Sequence, residues 1–250
     1  MQISDNKKLI NIILLLAGLY LANYFLSLKK GDIGELVLNI LVIPFGVLAI
    51  IIHEVSHGCV ANMLGDPTAK LAGRLSLNPV KHFDPLGVLC MILFHFGWAK
   101  PVPVDFSLLK KPRRDMTLVA IAGPLANLLL ALAFMFLAKA IYSFDVSGGF
   151  RDQPAFVIES ARIFFSVIMI GGIQINLMLM MFNLIPIPPL DGSRIITAML
   201  PRDMAIKYNM VEPYGLIIIM FMIYSNLLGS IIMGPLELVY KSMKYYILGI

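Results

Sequence analysis

The sequence predicts an all-α polytopic membrane protein of about five or six transmembrane helices, with a short β-like or re-entrant segment between the second and third spans. Three observations carry this prediction. Of the 250 residues, 59% are hydrophobic and only 14% charged, where a soluble domain carries roughly 25% charged residues. The mean hydropathy is +0.85. The apolar residues also fall in long runs, and about 20 of them cross a bilayer as helix. That use of the chain leaves no room for a separate soluble domain, so residues 1–250 read as one membrane-embedded domain with its core over 36–200.

The first span is expected over Leu9 to Leu28, after a charged start at Asp5, Lys7 and Lys8 and before Lys29-Lys30. No small-residue cleavage site follows it cleanly, so it reads as an uncleaved span. A second run covers Leu36 to Leu64. Gly65 to Pro85 is more polar; within it Leu71, Leu75 and Leu77 alternate with smaller or polar residues and predict a short strand or hairpin. Leu86 to Trp98 is apolar but short for a span, which fits a re-entrant or interfacial segment. Further spans are expected over Met116 to Tyr142, Ile163 to Leu184 and Tyr214 to Met233. A proline cluster and a short amphipathic helix, Ser193 to Leu200, separate the last two, and an interfacial helix follows Gly234.

The formal charge of +5 sits mostly in short patches beside apolar runs. Such patches flank membranes, and they give no reason to expect nucleic-acid binding. The basic residues Lys110, Lys111, Arg113, Arg114, Arg194, Arg202 and Lys207 mark one side as cytoplasmic, and Lys29-Lys30 runs against that orientation. Cys59 and Cys90 lie in unrelated apolar settings and form no C-x-x-C pair.

The chemistry concentrates in the second run. His53 and His57 are four residues apart, so on a helix both imidazoles leave one face and can hold one metal ion. Glu54 beside the first of them is placed as a general base. Ionisable groups in lipid are costly, so a cluster this dense needs a reason. A hydrolytic zinc requires a third protein ligand and an open position. Asp191 is the leading candidate, because the run Asn183 to Pro189 stops the helix and Gly192 permits close backbone approach. An N-cap for the following helix is its alternative role, and His82 and His95 are rival ligands.

Together these residues resemble the site-2 protease family of intramembrane zinc metalloproteases. The resemblance rests on His53 to His57 in an apolar helix, Gly73 to Pro79 with His82, Asp84, Pro85 and Gly87, Ala122 to Asn127, and Asn183 to Gly192. It covers about residues 36 to 200 and implies His53, His57 and Asp191 as ligands to one Zn²⁺ per chain, with Glu54 as catalytic acid/base. It implies a core-only prokaryotic member without a PDZ or CBS domain, in the cell membrane, with its site toward the cytoplasm. The implied partners are the bilayer and a membrane-spanning protein substrate. Oxyanion charge needs a donor, for which Asn183 and Asn127 are candidates; an interhelical hydrogen bond is the other reading of each. Since a substrate helix hides its carbonyls, the Leu71 to Leu77 edge is expected to pair with an unwound peptide. The competing functional class is a zinc-binding membrane protein without catalysis, or a metal transporter, which would not need Glu54.

Overall fold

A computed structural model describes residues 33–87 and 98–249. The expected first span, Leu9 to Leu28, and His95 with most of the Leu86 to Trp98 segment lie outside the described residues. Within them the chain is helical, as the composition requires. Helix α1 (Ile33–Leu64) is 32 residues long, about 48 Å at 1.5 Å per residue. A single turn, α2 (Thr68–Leu71), follows. Helix α3 (Pro112–Val146) is the central element. Helix α4 (Ala155–Val167) passes through a π-helical stretch, Ile168–Gln174, into α5 (Ile175–Asn183). The last four helices are α6 (Asp191–Met199), α7 (Arg202–Asn209), α8 (Gly215–Tyr224) and α9 (Leu227–Met243).

Four stretches among the described residues are long and apolar enough to cross a membrane: Leu36–Leu64, Pro112–Val146, Ala155–Asn183 and Arg202–Tyr224. Their surfaces carry exposed Ile43, Leu129, Phe136, Ile217 and Phe221, which suits a hydrocarbon surround. The core lies where α3 meets the π-helical stretch and α5, around Ala131, Met135, Ile168, Ile173 and Leu177. Helix α3 also packs along α1 and α6.

Two expectations are corrected. Leu71 closes α2, and residues 72–77 form turns and irregular chain rather than a strand. Their polar groups are spent inside the loop: Arg74 Nη2 donates to the Lys100 and Pro101 carbonyls at 2.7 and 3.2 Å, and the Ser76 carbonyl meets His82 Nε2 at 2.7 Å. The span expected over Tyr214 to Met233 is broken at Ser225-Asn226, where Asn226 takes φ 58°. Asparagine tolerates that left-handed conformation, and it ends α8. The long apolar unit instead runs from Arg202 through α7, a 3₁₀ turn and α8 to Tyr224, and α9 continues as helix past Gly234 to Met243.

The polar residues between α1 and α3 hold one extended strip, 98–105, against the end of α1. Besides Arg74, the His82 carbonyl accepts from Lys100 N–H at 2.8 Å. Asp66 is fully buried and accepts from Asp105 N–H at 2.8 Å, Thr68 N–H at 2.9 Å and the Thr68 hydroxyl. Burial pushes the Asp66 carboxyl up, but the hydrogen bonds from Thr68 and Asp105 outweigh it and hold the group below its ordinary range. Asp66→Ala is therefore expected to speed limited proteolysis within 98–111 roughly tenfold in detergent, the loss of one or two net hydrogen bonds. Because the folded pKa is depressed, the contribution is complete above the unfolded value of about 4 and is lost as pH falls through the folded one. The parent's cleavage rate should then be flat from about pH 5 upward and approach the variant's only below about pH 4. An Asp66→Ala strip as resistant as the parent at pH 7 would remove Asp66 from this role.

Candidate metal centre and active site

Helix geometry puts His53 and His57 on the face of α1 that meets α3, and both rings are buried. They lie nearly perpendicular, with centroids 4.7 Å apart. Each ring is fixed through its Nδ1. His53 Nδ1 lies 2.6 Å from Asn127 Oδ1 on α3, and His57 Nδ1 lies 2.7 Å from the Val119 carbonyl, also on α3. Both partners are oxygens that only accept, so each Nδ1 carries the hydrogen and each Nε2 is left to act as a ligand.

The Asn127 amide is oriented without ambiguity. Its Nδ2 donates to the Ala49 carbonyl at 3.2 Å and to Asn176 Oδ1 at 2.9 Å. Asn176 Nδ2 donates in turn to the Gly172 carbonyl at 2.8 Å. Both asparagines are completely buried. The chain of amides thus runs from a backbone carbonyl in the π-helical stretch, across three membrane helices, to one imidazole. Asn176 was not singled out in the sequence, although it is one of only three amides, with Gln174 and Asn183, inside the apolar run Ile163 to Leu184.

Asp191 is the first residue of α6 and does not cap it; its carboxylate turns instead to the histidines. Oδ2 lies 3.1 Å from His53 Nε2 and 3.3 Å from His57 Nε2. Several contacts hold it there. Ile185 and Leu190 of the proline-rich turn pack on Ile219 and Ile232, and the Tyr208 hydroxyl donates to the Pro186 carbonyl at 2.7 Å. A Cβ on Gly192 would stand 2.2 Å from the Leu184 carbonyl oxygen, so only glycine lets the turn close on itself. Asp191 Oδ2 is buried with no hydrogen-bond partner.

Two Nε2 lone pairs and one carboxylate oxygen therefore converge with no hydrogen assigned among them. A cation resolves that repulsion, and two imidazoles with one carboxylate are a ligand set that zinc accepts. Among the described residues these three alone form such a group. His82 is buried elsewhere, against Ser76, and does not join them.

Glu54 is half-buried and faces the same cavity of about 240 Å³ as His57 and Asp191. Its Oε2 accepts from Val102 N–H at 2.9 Å, which makes the strip over 98–105 part of the site. The two asparagines stand differently from the expectation. Both Nδ2 hydrogens of Asn127 are spent on protein oxygens. Asn183 donates to Leu179 of its own helix at 3.0 Å and does not line the cavity. The side chain that does line it, and that sequence reading used only as a topology marker, is Arg194. Its signal was the i, i+3 spacing from Asp191.

Gly123 is the close-approach point between α3 and the histidines. A Cβ there would lie 2.4 Å from His57 Nε2 and 2.6 Å from His53 Nε2. Neither ring can retreat without breaking its Nδ1 bond. Gly123→Ala is expected to weaken zinc binding at least about tenfold, as lost ligand orientation does elsewhere, measured by competition with a chromophoric chelator. Gly46→Ala on the same helix as the histidines, where the nearest side-chain atom is 3.8 Å away, should leave affinity unchanged. Equal affinities for both variants would count against the packing assigned to Gly123.

Comparison with known proteins agrees with this geometry. The model of a family described as peptidase family M50 matches residues 40–225. A relative from Bacillus subtilis (strain 168), named "Putative zinc metalloprotease YwhC", is 41% identical over 197 residues, covering 77% of this chain and 85% of the relative. A "Putative zinc metalloprotease Rip2" from Mycolicibacterium smegmatis is 31% identical over 157 residues, 61% of this chain and 54% of the relative. Its namesake from Mycobacterium tuberculosis (strain H37Rv) is 30% identical over 159 residues, with the same coverage. No solved structure matches the chain. The matched region carries the converging acceptors on apolar helices, and the chain belongs to peptidase family M50, the site-2 protease family, as a multi-pass zinc metalloprotease.

Proposed function

We propose that the protein is an intramembrane endopeptidase that hydrolyses a peptide bond in or near a transmembrane segment of a substrate protein. The observation that carries this reading is the placement of Glu54 and the acceptor cluster on one cavity among helices suited to lipid. His53, His57 and Asp191 are the ligands. A zinc ion held by them supplies Lewis acidity toward a scissile carbonyl and brings the ionisation of a water toward about pH 7.

The protein's own groups do the rest. Val102 N–H pins Glu54 Oε2 and leaves Oε1 to take a proton from the attacking water and return it to the departing amine. Asn127 positions His53 through its Oδ1, a role suited to an amide whose hydrogens are engaged. The buried surroundings limit bulk water, which strengthens each electrostatic contact inside. A substrate span must unwind locally before its carbonyl is accessible. Residues 1–250 act as one domain, with the core over 36–200. The basic groups near α3 and α7 support a site toward the cytoplasmic side of a prokaryotic cell membrane.

The test is Glu54→Gln in detergent with a single-span protein substrate. Loss of about 10²- to 10⁴-fold in cleavage rate is expected from removal of a general base, with zinc content kept at the parent value. A chelator should abolish cleavage by the parent. Hydrolysis that persists in the variant would remove Glu54 from the mechanism. A parent that binds zinc yet cleaves no membrane-spanning substrate would favour the non-catalytic reading.

A further inference from the structure

We infer that Arg194 is the side chain that receives the oxyanion of the cleaved peptide, a catalytic assignment that rests on the proposed peptidase reading. The polar side chains lining the cavity, among the described residues, are Glu54, His57, Asp191 and Arg194. The first three are acceptors toward the cavity or are engaged as ligands. Arg194 alone brings side-chain N–H donors. The two asparagines that the sequence offered for this task are engaged elsewhere, Asn127 with both amide hydrogens.

The placement suits the role. Arg194 follows Asp191 by three residues on α6, so both leave the same face of the helix. Its side chain is 26% exposed, and its Nη2 is held by Glu212 from the 3₁₀ turn before α8. A guanidinium is always charged and carries five donors in a rigid fork. The contact with Glu212 uses one of them, and no other protein partner among the described residues takes the rest. The carboxylate thus fixes the orientation of the fork and leaves its other donors for a ligand in the cavity. A donor aimed before the reaction needs no reorganisation when charge develops.

The water oxygen bonds to the scissile carbon as Glu54 takes its proton, and the carbonyl π electrons move onto the carbonyl oxygen. Arg194 N–H groups hydrogen-bond that oxygen. When the C–N bond breaks, the electrons return to re-form the carbonyl, and the Glu54 proton goes to the amine.

The assignment separates anion binding from peptide binding. The probe is a peptide carrying a phosphinate at the scissile position, compared with the uncleaved amide peptide bound to the Glu54→Gln form. Arg194→Gln is expected to lower kcat about 10²- to 10³-fold, the usual range for losing one oxyanion donor. It should weaken phosphinate binding by a similar factor and leave KM, amide-peptide binding and zinc content near the parent values. Arg194→Lys should recover part of kcat. Glu212→Gln, which frees the fork without removing it, should lose less than Arg194→Gln.

Equal losses for Glu212→Gln and Arg194→Gln, with phosphinate binding unmoved, would reduce Arg194 to a structural tie and overturn the assignment. Loss of zinc from Arg194→Gln but not from Arg194→Lys would overturn it too, in favour of support for Asp191. A parent enzyme that neither cleaves nor binds the phosphinate would instead sink the peptidase reading on which it rests.

Discussion

Inside a bundle of apolar helices Asp191 Oδ2 stands 3.1 and 3.3 Å from two imidazole nitrogens, the three atoms lie within 4.8 Å of one another, and no protein hydrogen bond separates them. Left alone, such a contact repels, and the low dielectric of the surroundings amplifies the repulsion. The rest of the core is arranged to keep these atoms from rotating apart. The Asn127–Asn176–Gly172 amide chain settles one ring, and the Val119 carbonyl settles the other. An interhelical hydrogen bond in lipid is worth only about 0.6 kcal/mol on average. The function of these bonds is therefore directional more than energetic: each removes one tautomer and one ring flip from the choices open to a histidine.

Glu54, the base of the proposed mechanism, is governed by a different set of contacts. Glu54 extends from the same helix as the histidines, yet its oxygen is held by a strip that runs outside the helices. That strip is in turn held by Arg74, His82 and Asp66. Ligands and base thus depend on separate parts of the chain. The ligands are positioned by helix packing in the bundle, and the base by a polar network beyond the end of α1. With the roles proposed, a change in the loop would move the proton acceptor while leaving the acceptor cluster intact, and so would separate metal binding from turnover.

The helices were legible because hydropathy and length constrain a membrane chain so strongly. The runs Leu36 to Leu64 and Met116 to Tyr142 both fall inside longer helices. The proximity of Asp191 to the histidines was legible from its setting, since three prolines and Gly192 allow few ways to hold a carboxylate there. What failed was the reading of alternation and of apolar length where polar contacts decide. Leu71, Leu75 and Leu77 alternate as in a strand, but the chain turns, with Arg74 bound to the Lys100 carbonyl of the neighbouring strip and His82 to the Ser76 carbonyl. Tyr214 to Met233 has the composition of one span, but Asn226 in a left-handed conformation divides it. The two asparagines were legible as polar residues in lipid. Their tasks were not, because an amide's free hydrogens can be counted only when its neighbours are known.

Charge closes the account of the site. Asp191 and Glu54 bring two carboxylates to the cavity and Arg194 one guanidinium, and the Glu212 carboxylate pairs with Arg194. With neutral histidines this leaves two negative charges in a half-buried place where unbalanced charge is costly. A divalent cation held at the acceptor cluster would neutralise them. In the proposed mechanism a proton passing from water to Glu54 would move charge across the cavity without changing its sum. The negative charge that Glu54 would lose would reappear on the substrate oxygen, beside Arg194. A charge sum that stays constant suits a cavity among membrane helices, where unbalanced charge is costly.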